Sequence, residues 1–68
     1  MSDDEMKTLQ KEVSQKKRIA TEWASRIHDV VEDQLWSAYG DLPDLARQTV
    51  EACEAWAAAK AKLDQAGA

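Results

Sequence analysis

The sequence contains few residues that break helices or cross-link chains. Among its 68 residues there are one proline, Pro43, one cysteine, Cys53, two glycines and no phenylalanine. Scarce proline and glycine favour long helices, and a single cysteine excludes a disulfide within the chain. A chain this short rarely stabilises a lone hydrophobic core, so the missing disulfide indicates that a second subunit supplies the additional burial.

A long apolar run and a basic start are missing as well. No apolar run approaches the roughly 20 residues that cross a bilayer, and the sequence begins Met-Ser-Asp-Asp-Glu where a signal peptide would be basic and then apolar. The formal net charge of −4 argues against nonspecific nucleic-acid binding, which depends on Lys and Arg neutralising phosphates. We therefore expect a cytoplasmic protein without a membrane segment, for which nucleic acid is not the favoured partner.

Apolar residues recur every seven positions through two long segments. In the first segment, the two heptad series are Met6, Val13, Ala20 and Ile27, and Leu9, Lys16, Trp23 and Val30. In the second segment, they are Leu42, Thr49, Trp56 and Leu63, and Leu45, Ala52 and Ala59. Such stripes are typical of helices that pack along their length. The sequence predicts one domain, residues 1–68, with helix 1 over about 3–32, opened by a Ser2–Glu5 capping box, a connection over 33–41, and helix 2 over about 42–65.

These helices predict an all-α fold, a two-helix antiparallel hairpin roughly 35 to 45 Å long. Each helix covers only one side of the other, so we expect a homodimer in which two hairpins form a four-helix bundle. A single elongated coiled-coil hairpin is the alternative. Cys53 is expected to be a small core or boundary residue. The predicted dimer core comprises Val13, Ala20, Trp23, Ile27, Leu45, Ala52, Trp56 and Leu63.

The connection combines helix-ending residues with aromatic and acidic ones. Gly40 is a good helix stop, and Pro43 suits the first turn of helix 2. Trp36 and Tyr39 lie outside both heptad series, in a stretch from 29 to 44 that has no Lys or Arg. Either these aromatics pack over the open end of the bundle, or they are exposed and mark a docking site for a protein partner. The second case predicts a partner-binding set of Trp36, Tyr39, Asp33 and Asp41.

Two alternative functions have candidate residues of their own. The basic run Lys16, Lys17 and Arg18 could contact phosphates in a dimer, which would make an RNA-binding bundle. His28 is the only histidine and Glu32 lies one turn further on, so a twofold axis nearby could build a transition-metal site. A solvated basic face and an ordinary surface histidine are the simpler interpretations, and no other cofactor is expected. The sequence shows no arrangement of nucleophile, base and orienting group, so we do not expect an enzyme.

The second half of the sequence resembles a known family. It reads His-Asp-Val-Val-Glu-Asp from His28, Leu-Pro at Leu42, Leu-Ala-x-x-Thr-Val-Glu-Ala from Leu45, and Ala-x-Ala-Lys-x-Lys-Leu up to Leu63. This pattern is similar to that of the Rop-like family, small helical hairpins of unknown function encoded in nitrogen-fixation gene clusters. Its members carry His-Asp-Leu-Ala-Glu before the turn and a similar Ala-x-x-Thr pattern in the second helix.

The resemblance implies a fold, a setting and a class of partner. It implies a hairpin that dimerises as a four-helix bundle and acts as an accessory in nitrogenase assembly or maturation, with a nitrogenase-related protein as partner. Because family members are sometimes labelled metalloproteins, it also somewhat favours a metal at His28. The connection departs from the family pattern, since residues 34–41 replace a shorter Leu-Pro turn.

Overall fold

The computed structural model describes residues 3–67, which form two long helices joined by a short helical connection. Helix α1 covers Asp3–Asp33, the short helix α2 covers Leu35–Ala38, a 3₁₀ turn covers Tyr39–Asp41, and helix α3 covers Leu42–Gly67. No strand occurs within residues 3–67, so the all-α, two-helix fold expected from the heptads is confirmed. Ser2 of the expected capping box lies outside the described residues.

Helices α1 and α3 run antiparallel and form a rod. Near the chain ends, Leu9 of α1 shares a shallow hollow with Lys62 and Ala66 of α3, and a Cβ placed on Gly67 would lie 3.8 Å from Met6 Cε. The Cα atoms span 51 × 15 × 12 Å. The rod is longer than the predicted 35 to 45 Å because the helices have 31 and 26 residues, at about 1.5 Å each, and because the connection extends one end.

The heptad residues are the covered residues of both long helices. All eight residues of the two series in α1, from Met6 to Val30, are at least partly buried, whereas nearly all others in α1 are exposed. In the described chain, only Val30 and Ala59 are buried, with 8% and 3% of their surfaces exposed. Both belong to the second series of their helix, so this series faces across the hairpin.

The chain reverses direction through helical turns, without a left-handed residue. Gln34 N–H donates to the carbonyl of Val30 at 3.0 Å, while the Gln34 carbonyl accepts from Ala38 N–H at 2.8 Å, so Gln34 separates α1 from α2. Gln34 and Ala38 both adopt φ of −130°, which any L-residue tolerates. Gly40, expected to be a helix stop, lies instead inside the 3₁₀ turn, and no residue between 3 and 67 has a positive φ.

The hairpin exposes more surface than a compact protein of its mass. A folded monomer of 7.6 kDa exposes about 4,300 Å² on the general trend, whereas this chain exposes 5147 Å². Two helices lying side by side have no third layer to cover them, which accounts for the excess. Large apolar side chains remain exposed on the surface, namely Ile19, Val31, Trp36, Tyr39 and Val50. Within residues 3–67 neither long helix has an apolar stretch of sufficient length to cross a membrane.

Candidate interaction surfaces

The connection carries an exposed apolar surface, the aromatic tip, formed by Leu35, Trp36 and Tyr39. These side chains line one shallow hollow of about 340 Å³. Trp36 has 89% of its surface exposed and Tyr39 has 63%, while Leu35 is half-buried. Helix α2 is a single turn, so it can press only one face against the hairpin, and Leu35 lies on that face. Within this hairpin the two aromatic rings therefore do not pack over the ends of the long helices.

Carboxylates precede and follow the aromatic tip along the chain. Asp33, the last residue of α1, and Asp41, the last residue of the 3₁₀ turn, form what we call the acidic rim. Both are exposed, and neither forms an ion pair within the described chain. The next cation along the chain is Arg47, whose guanidinium donates to the Asp44 carboxylate. That hydrogen bond and the Asp44 charge raise the pKa of Arg47, so Arg47 is engaged with Asp44 and does not neutralise the rim.

A second surface, the interhelical groove, lies on the open face of the hairpin. It measures about 290 Å³ and is lined by Lys17, Ala20, Thr21, Ala24, Thr49, Cys53 and Trp56. The Thr49 hydroxyl donates to the Leu45 carbonyl at 2.8 Å, so this polar group is satisfied within its own helix. Cys53, expected in the core or at its boundary, is exposed here, because it flanks the first heptad series of α3, which borders the groove. Apart from Trp56, the walls consist mostly of small side chains.

The residues predicted for the dimer core all lie along the seam, which is the stripe formed by the heptad series of α1 and α3. Each of the eight is half-buried in the single hairpin, so each retains surface that a further helix could cover. Ala20 and Trp56 meet in the interhelical groove. Trp23 is partly covered by the guanidinium of Arg26, whose Cζ lies 4.7 Å from the ring centroid, an arrangement that favours a cation–π attraction.

The basic run does not form one surface. Lys16 is half-buried on the seam, Lys17 borders the interhelical groove, and Arg18 is exposed with its Nε 3.9 Å from Glu22 Oε1. Successive helical residues point about 100° apart, so three basic residues in a row spread around the helix. A single hairpin therefore presents no continuous phosphate-binding face from this run.

His28 and Glu32 are brought together as their spacing predicts. His28 Nε2 lies 2.9 Å from Glu32 Oε2, and both side chains are well exposed. No set of three or more His, Cys, Asp or Glu side chains converges on one point in the described chain. A protein metal site usually needs three or four ligands, so this pair would require donors from a second copy. The metal at His28 stays a prediction.

Some residues of the aromatic tip and of the interhelical groove were not marked by the sequence pattern. Leu35 was not among the partner-binding candidates, although it completes the aromatic tip. Thr21 and Ala24 were not among the dimer-core candidates, although both line the interhelical groove. Ala24 follows Ala20 by one helical turn, and that pair of small residues on one face was the available signal. Leu35 offered no comparable signal, because its direction depends on the bend at Gln34.

Comparison with known proteins extends the likeness seen in the sequence. Residues 4–68 match the sequence model of a family described as Rop-like. The match includes α1, whereas the resemblance noted from the sequence ran from His28 to Leu63. No curated protein and no solved structure is significantly similar to the chain. Because the family match spans almost the whole hairpin, the chain belongs to the Rop-like family.

Proposed function

We propose that this protein is a non-enzymatic interaction module that binds another protein through its aromatic tip. The observation that carries the proposal is Trp36, a tryptophan with 89% of its surface in water beside an exposed Tyr39. Tryptophan and tyrosine are enriched among the residues that supply most of the energy of protein interfaces. Leaving a large apolar ring in water contributes nothing to folding, so its benefit is expected in a complex.

The backbone that carries the tip is hydrogen-bonded. The Ser37 and Ala38 N–H groups donate to the Gln34 carbonyl at 3.2 and 2.8 Å, and the Ser37 hydroxyl donates to the same carbonyl at 3.3 Å. A backbone that is already ordered loses little conformational entropy when its side chains bind a partner. This geometry supports recognition by a fixed surface.

The proposal includes pairing with a second copy through the interhelical groove. Two observations support it: the accessible surface exceeds that of a compact monomer, and the eight seam residues are only half-buried. Two hairpins packed groove to groove would form a four-helix bundle and cover the small residues around Trp56. Each hairpin would then present one aromatic tip to a partner.

A pair of neighbouring substitutions tests the pairing. Ala24→Glu places a charge in the groove, whereas Ser25→Glu places the same charge on an exposed position outside it. Sedimentation equilibrium should give a dimer mass for the wild type and Ser25→Glu, and weaker association for Ala24→Glu. A wild-type protein that stays folded and monomeric at all concentrations would remove the dimer from the proposal.

The setting that we propose is nitrogen fixation, in the assembly or maturation of nitrogenase. Its support is the sequence pattern from His28 to Leu63 and its likeness to hairpins encoded in nitrogen-fixation gene clusters. The partner would then be a nitrogenase-related protein. Recovery of the same partner from cells grown without any need to fix nitrogen would contradict this setting while leaving the interaction itself intact.

Partner capture tests the tip directly. Tagged wild-type protein, a Trp36→Ala/Tyr39→Ala variant and a Val50→Ala control would be mixed with extract of nitrogen-fixing cells, and the captured proteins identified by mass spectrometry. Val50 is a suitable control because it is also an exposed apolar residue but lies on α3, away from the tip. We expect the tip variant to lose its specific partner at least tenfold and the control to retain it. Capture of the same partner by the tip variant at an unchanged level would contradict the proposal.

A further inference from the structure

The carboxylates near the aromatic tip occupy positions that disfavour negative charge. The last five residues of α1 include Asp29, Glu32 and Asp33 and no basic residue. A helix C-terminus carries partial negative charge, so cations stabilise it and carboxylates destabilise it. Glu32 has His28 as a partner, but in the described chain neither Asp29 nor Asp33 forms an ion pair. The fold gains nothing from these two charges.

The negative charge is concentrated in the half of the hairpin that bears the tip. Between residues 19 and 52 the chain has seven Asp and Glu residues against two Arg, whereas the remaining residues have six acidic and seven basic ones. One of the two, Arg47, is bound to Asp44, and the other, Arg26, lies over the Trp23 ring. The exposed indole of Trp36 therefore lies in the part of the hairpin that carries a net negative charge.

We infer that the aromatic tip, together with the acidic rim, recognises a basic protein surface, an apolar pocket or stripe bordered by Lys or Arg side chains. This inference rests on the proposed function and names the chemistry of its partner. The exposed rings of Trp36 and Tyr39 would enter the apolar centre, while Asp33 and Asp41 would face the basic border. Rim charges of this kind accelerate association and set its salt dependence. The same charges repel phosphate backbones and anionic lipid, which leaves a basic protein as the occupant.

A pair of synthetic peptides serves as the probe. One is a labelled helical peptide with leucines along one face and lysines elsewhere, and the other is its twin with glutamate at every lysine position. Fluorescence anisotropy with the full chain should show at least tenfold tighter binding of the lysine peptide. Its affinity should fall as salt is raised, because the Debye length shrinks to about 8 Å at physiological ionic strength. Trp36→Ala should abolish binding of the lysine peptide.

Matched charge variants test whether the acidic rim itself determines the affinity for the lysine peptide. Asp33→Asn/Asp41→Asn should weaken binding of the lysine peptide severalfold and flatten its salt dependence. Glu54→Gln/Asp64→Asn removes the same net charge from exposed positions away from the tip and should leave binding unchanged. Equal losses in the two double variants would overturn a local role for the acidic rim and reduce the effect to net charge.

The outcomes separate this inference from the proposed function. If the natural partner is lost with Trp36→Ala/Tyr39→Ala but kept, with the same salt dependence, by Asp33→Asn/Asp41→Asn, the basic partner is wrong and the aromatic docking site stands. The inference also fails if the chain binds both peptides equally or neither of them. Partner capture that survives loss of both aromatics overturns the proposed function itself, and the inference with it.

Discussion

In the paired helices α1 and α3 the large apolar residues of the heptad series turn toward the neighbouring helix, whereas in the connection they turn toward water. Trp56 is half-buried between the long helices, while Trp36 has 89% of its surface exposed. The charges differ in the same way. In α1 and α3, Arg18 and Lys60 lie near carboxylates one turn away, whereas neither carboxylate of the acidic rim forms an ion pair within residues 3–67.

This difference separates residues that maintain the fold from residues that are available for a partner. Natural sequences agree with their fold at most positions, and the places where local rules are broken are often functional. The seam satisfies the rules of helix packing, while the tip violates the rules of burial and of helix-end charge. Substitutions in the seam are therefore expected to cost stability, whereas substitutions in the connection are expected to change it little or to raise it.

Replacing Trp56 and Trp36 one at a time is the strongest test of the comparison. Trp56→Ala should lower the free energy of unfolding by about 2–4 kcal/mol, somewhat less than the roughly 3–5 kcal/mol typical of fully buried aromatic residues. Trp36→Ala should change it by less than about 0.5 kcal/mol, because its ring touches little. Urea unfolding followed by circular dichroism, at one fixed protein concentration, measures both. Equal losses would place the tip within the folding core.

Substitutions of two adjacent alanines in α3 test which positions of the helix are packed against α1. Ala59 has 3% of its surface exposed, so Ala59→Leu forces extra volume against α1 and should cost about 1–3 kcal/mol. Ala58 is exposed, and Ala58→Leu should stay within about 0.5 kcal/mol of the wild type. Thermal unfolding of the two variants compares them directly. A stable Ala59→Leu protein would show that the helices separate easily along this contact.

Gly40→Ala should stabilise the connection. Gly40 has no positive φ, and a Cβ added there would meet nothing within 4 Å. Alanine would reduce the freedom of the unfolded chain without strain in the folded one, and we expect a gain of about 0.4–1 kcal/mol in the free energy of unfolding. Urea unfolding measures this gain. A loss of stability would indicate that residue 40 adopts a left-handed conformation in solution.

Neutralising one carboxylate at each end of α1 should have opposite effects. Asp33→Asn at the C-terminal end should raise the free energy of unfolding by about 0.3–1 kcal/mol, and Asp3→Asn at the N-terminal end should lower it by a similar amount. Both effects should shrink in high salt, because the residues are exposed. Thermal unfolding at low and high salt provides the measurement. Changes of the same sign would exclude the helix dipole as the cause.

Much of the fold could be predicted from spacing, and much of the tip could not. The heptad spacing alone marks Ala20, Trp23 and Trp56 as covered positions, and also Lys16, whose long stem lies on the seam. The place of Gly40 inside a 3₁₀ turn could not be predicted, because it depends on the direction that the chain takes at Gln34, after α1 ends at Asp33.

The sequence by itself determined that two amphipathic helices form and which residues of each share a face, because the helical repeat relates spacing to direction whatever the surroundings. It also determined that the connection is acidic and aromatic, since composition needs no coordinates. Only the tertiary structure decided that Trp36 and Tyr39 point into water, that Leu35 joins them, and that Cys53 borders a groove. These directions depend on how the short helix α2 is set against the hairpin, and that orientation follows from the bend at Gln34 and from the contacts of α2 with α1 and the 3₁₀ turn.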